Sequence, residues 1–65
     1  MTDPHYAKRV AQSLREMVVE EFGSAPPIER VMAIVEGHLD TDERPKKREE
    51  FAAWIFENDR EALKP

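Results

Sequence analysis

The residues able to do chemistry are few, and their spacing forms no reactive set. His5 and His38 are the two histidines, Ser13 and Ser24 the two serines, and cysteine is absent. Without cysteine there is no disulfide, no thiolate zinc site and no thiol nucleophile. Two histidines alone cannot close a structural zinc site. His38 falls on the inner shoulder of a helical stripe, near its C-terminal end, where the negative end of the helix dipole favours an imidazole. No other His, Cys or carboxylate stands at a ligand spacing on that face, so a partly buried structural histidine is expected. His5 is expected to be exposed and without a special role. Neither serine has a nearby His-plus-acid arrangement.

Carboxylates are plentiful, with Glu16, Glu20 and Glu21 in one segment and Glu57, Asp59 and Glu61 in another. Acids at helical spacing on a charged chain read as solvated surface. Asp40-Thr41-Asp42 opens like a calcium loop. The sixth position, which needs glycine, is Pro45, and the twelfth is Phe51 in place of glutamate, so calcium binding is rejected. Arg44, Lys46, Lys47 and Arg48 form a basic cluster that could meet phosphate. Asp40, Asp42 and Glu43 precede it, Glu49 and Glu50 follow it, and they cancel much of its field. A salt-bridged helix start is the expectation there. No catalytic, cofactor or metal site is expected, and the chain is not read as an enzyme. A chain of 65 residues also seldom offers a pocket that excludes water.

Charge and composition narrow the partners. The formal net charge is −4 and the pI about 5.1. A general phosphate-backbone binder is usually basic, so this balance argues against non-specific nucleic-acid binding. Hydrophobic residues make up 40% of the chain and charged residues 37%, enough for a small core with a well-solvated outside. No apolar stretch approaches the roughly 20 residues of a membrane span. Met1 to Lys8 is polar and carries no apolar signal core, so the expected location is the cytoplasm.

The elements that must position these residues are helices. Asp3 suits an N-cap and Pro4 a first helical position. Ala7, Val10, Ala11, Leu14, Met17, Val18 and Phe22 then recur on one face, and Gly23 reads as the stop. Ser24-Ala25-Pro26-Pro27 is a stiff connector, because residues before proline are pushed away from helical angles. Ile28, Val31, Met32, Val35 and Leu39 form the second stripe, with Ile34 and His38 on its shoulder. Asp40 to Pro45 is the second connector, with Pro45 expected in the first turn of helix three. That helix is expected to run to about Leu63. Its main stripe is Lys47, Phe51, Trp54, Ile55, Asn58 and Ala62; a second stripe, roughly 100° round, is Ala52, Phe56 and Leu63. No alternating run flanked by turn residues marks a strand. Leu14, Val31, Val35, Phe51, Trp54 and Ile55 are the expected core.

The sequence therefore predicts an all-α fold: one helical domain over 1–65, a small three-helix bundle or an open three-helix array. Its helices are expected at about 4–22, 27–39 and 45–63. Phe51-Ala52-Ala53-Trp54-Ile55-Phe56 is apolar all round, whereas only one side of a helix needs to join a core. Either helix three buries a wide arc across both other helices, or its second stripe stays outside to meet a partner. The second alternative makes Val19, Ala52, Phe56 and Leu63 the protein interface. Pro27-Ile28 opening one helix, with an aromatic-rich helix containing Trp54, resembles the three-helix theta accessory subunit of bacterial replicative polymerase, at a longer spacing. The resemblance carries no residue roles.

The expected function is a small non-catalytic protein-binding module. It would be an accessory subunit, inhibitor or modulator of a larger protein, phage- or plasmid-encoded among its guises, binding another protein or itself. The alternative is a dimeric trihelical regulator that binds nucleic acid. For that reading the candidate recognition helix, Pro27 to Leu39, offers only Arg30 and His38 against Glu29 and Glu36.

Overall fold

Three helices form, and their faces are set by their apolar stripes. The computed structural model of the chain describes residues 4–65, so the expected Asp3 cap lies outside the described residues. Helix α1 spans Pro4–Phe22, α2 spans Ile28–His38 and α3 spans Arg48–Asn58, with no strand among the described residues. The chain is a small all-α three-helix bundle. Helix α1 is its central element: α2 and α3 each pack along it. At 19 residues it is about 28 Å long, most of the 34 Å long axis of the molecule.

The core is almost wholly aliphatic. Ala7, Val10, Ala11, Leu14 and Val18 of α1 meet Val31 and Val35 of α2 and Phe51, Ala52 and Ile55 of α3. No polar or charged side chain is buried among the described residues. The core therefore contains no side chain that needs a buried hydrogen-bond partner.

Gly23 ends α1 at φ 87°, the left-handed conformation that glycine adopts without steric cost. Its N–H still donates to the Val19 carbonyl at 2.8 Å. The connector is then fixed from outside. Arg15 Nε donates to the Pro26 carbonyl at 3.1 Å, a carbonyl that lies beyond both helices. This pin lays the start of α2 alongside α1.

Helix three differs from expectation at both ends. It begins at Arg48, because Lys47 is extended (φ −80°, ψ 138°), and it stops at Asn58. Pro45 is therefore in the loop, not in the first turn. The Asn58 side chain donates to its own helix at the Trp54 carbonyl (2.7 Å), and Asp59 leaves helical angles at φ −117°, ψ 29°. A single separate turn follows, closed by the Leu63 N–H on the Asp59 carbonyl at 3.1 Å.

The buried face of α3 is also rotated from the expected stripe. Ala52 and Leu63, assigned to the outer stripe, are fully buried, whereas Trp54 is only half-buried and Lys47, Asn58 and Ala62 are exposed. The reason is that α3 shares its long contact with α1 rather than sitting evenly across both helices. The face pointing at α1 runs through Phe51, Ala52 and Ile55.

Candidate protein interface

Of the four residues expected at the interface, two are removed by the fold. Ala52 and Leu63 have no exposed surface, so in the folded chain they are core and cannot meet a partner. Leu63 reaches the core because the turn after Asp59 packs back against the helices. Phe56 is half-buried. Its ring meets Phe22 edge-on at 6.1 Å between centroids. The Arg60 guanidinium covers both rings, 5.0 Å from Phe56 and 5.5 Å from Phe22. Arg60 is held there by Glu21 at 2.5 Å. Such a lid satisfies the ring faces and leaves a polar surface above them.

Val19 is the opposite case. At 40% it is the one exposed large hydrophobic residue among those described. It lies in an open groove of about 850 Å³ with Lys8, Gln12, Arg15, Glu16 and Glu20 of α1 and Ile28 at the start of α2. Arg15, whose bond to Pro26 pins the connector, is also among the residues lining this groove. The groove is thus lined by two apolar side chains, Val19 and Ile28, together with residues of both charges. A mixed apolar and charged lining of this kind is compatible with a docking surface.

A second cluster joins the two outer helices at the other end. His38 Nε2 and Asp59 Oδ2 are 2.5 Å apart, with side chains 23% and 30% exposed. The His38 ring also meets Trp54 edge-on at 5.2 Å. His38 is thus partly buried, as its position suggested, and it ties the end of α2 to the turn after α3. Next to it, Arg44 lies over the rings of Phe51 (5.2 Å) and Tyr6 (5.6 Å). It donates from Nε to the Leu39 carbonyl at 2.9 Å and from Nη1 to the Tyr6 hydroxyl at 3.3 Å.

Arg44 therefore belongs to the fold and not to a phosphate patch, whereas Lys46, Lys47 and Arg48 are exposed. Reading the sequence element by element missed Arg44, Asp59 and Arg60 as packing residues. Their partners lie on other elements, and nothing in a local pattern marks them.

Among the described residues no group of three or more His, Cys, Asp or Glu comes together as a metal site would require. No helix there is long and apolar enough to cross a membrane. Comparison of the chain with protein-family models, with curated proteins and with solved structures returns no match.

Proposed function

We propose that this chain is a small non-catalytic protein-binding module of the cytoplasm, an accessory subunit or modulator that docks through the outer face of α1. The observation that carries this reading is the Val19–Ile28 groove: the one large hydrophobic residue exposed among those described lies in an open groove lined also by charged residues of α1. Exposed apolar centres of this kind are where association gains most from releasing water. The Phe56 edge contributes less than the α3 pattern suggested, because Arg60 already covers it.

The test compares the intact chain with its Val19→Glu variant as baits in the source cell extract. Val19 is on the surface, so the variant should keep its helical circular dichroism. Specific capture of a protein by the parent that the variant loses supports the reading. Equal capture by both places docking on another surface.

A further inference from the structure

The charges at the C-terminal end of α1 run against its dipole. A helix is stabilised by acids in its first turn and bases in its last. Helix α1 has no acid in its first turn and no base in its last. Glu20 and Glu21 stand in its last turn, against the dipole, while Lys8 and Arg9 stand in its second turn. Glu16 and Glu20, one turn apart, repel each other as well. Glu21 is neutralised by Arg60. Lys8, Glu16 and Glu20 have no ion-pair partner among the described residues, and all three line the groove around Val19. A charge order that opposes the local preference of its helix calls for a compensation from elsewhere.

We propose that the occupant of this groove is a second copy of the chain, with α1 packed antiparallel on α1. This rests on the docking reading above and names the partner. Antiparallel pairing brings each basic end beside an acidic end, and it opposes the two helix dipoles. Lys8, Gln12, Glu16 and Glu20 form a single row of residues four apart along the outer face of α1, and all four line the groove. A two-fold axis at the level of Leu14 sets Lys8 opposite Glu20 of the second copy and Gln12 opposite Glu16. Both contacts are attractive, and each occurs twice, because a two-fold interface repeats every pair. The methylene stem of Lys8 then lies over Val19 of the other copy and removes it from water. Parallel packing would place glutamate on glutamate, so the same row selects the antiparallel arrangement.

The test is sedimentation of the intact chain over a wide concentration range, with charge reversals at the ends of the row. The parent should dimerise, more weakly as salt rises. Lys8→Glu and Glu20→Lys should each weaken the dimer about tenfold, through two exposed pairs at once. The double variant Lys8→Glu/Glu20→Lys should return it towards the parent. All three changes are on the surface, so each variant should keep the parent's helical spectrum. A chain that stays monomeric at millimolar concentration overturns the proposal. So does a dimer indifferent to both reversals, or one that the double variant fails to restore. A monomer whose capture of a foreign protein still depends on Val19 would overturn the second copy and leave the docking reading standing. A chain with neither behaviour loses both.

Discussion

A single arginine shows how the surface of this molecule is organised. Arg44 reads in the sequence as the first residue of a basic cluster, yet it is built into the fold by two rings and two hydrogen bonds. Its planar guanidinium stacks and donates at once, which a lysine ammonium cannot do. Arg44→Ala should therefore destabilise the chain by about 1–2 kcal/mol. Arg44→Lys should recover less than half of that, although it keeps the charge. Urea denaturation monitored by far-UV circular dichroism measures both. Equal stability of the lysine variant and the parent would mean that Arg44 contributes only charge. His38 and Asp59 act at the same scale but more weakly, since both are partly exposed. Asp59→Asn should cost roughly 0.5–1 kcal/mol. It should also change the fluorescence of Trp54, the single tryptophan, which touches the His38 ring.

Among the elements, the two glycines make opposite predictions from the same substitution. Gly23 ends α1 in the left-handed region, with nothing within 4 Å of an added Cβ. The strain of Gly23→Ala is then purely conformational, about 1–2 kcal/mol of destabilisation. Gly37 sits inside α2 with equally open space around it. There alanine removes the entropy penalty of glycine, and Gly37→Ala should stabilise by roughly 0.5–1 kcal/mol. Thermal melts of the two variants should move in opposite directions, and a shared direction would contradict the C-terminal boundaries of α1 and α2. Helix boundaries were legible where punctuation is local. Pro4, Gly23 and the Pro26-Pro27 pair mark α1 and the start of α2 within a residue. The limits of α3 were not, because its end depends on an Asn58 side chain turning back on Trp54 and on Asp59 meeting His38 from α2.

For the molecule as a whole, the decisive contrast is between Leu63 and Val19. Leu63 is fully buried at the very end of the chain, and Val19 is exposed in the middle of its longest helix. Leu63→Ala should cost about 2–4 kcal/mol, as should Leu14→Ala, a large share of the stability of a domain this small. Val19→Ala should stay within about 0.5 kcal/mol of the parent. Phe56→Glu lies between, on the order of 2 kcal/mol, because the ring is half-buried and the new carboxylate would face Arg60. Chemical denaturation of the four variants gives the order directly. A Val19 variant as damaged as the Leu63 one would place the groove inside the core. The sequence by itself determined the helical class, the inward face of α1 from Ala7 to Val18 and the place of Val31 and Val35. It also marked Val19 as lying off the core stripe. Each of these follows from spacing along one helix, which the chain carries locally. Tertiary structure alone decided which side of α3 is covered. Phe51 to Phe56 is apolar all round, so its periodicity does not separate the stripe through Trp54 from the face through Ala52, and the choice between them falls to the packing of α3 along α1. The same packing buries Ala52 and Leu63, half-covers Phe56 beneath an arginine from the final turn, and leaves Val19 in solvent.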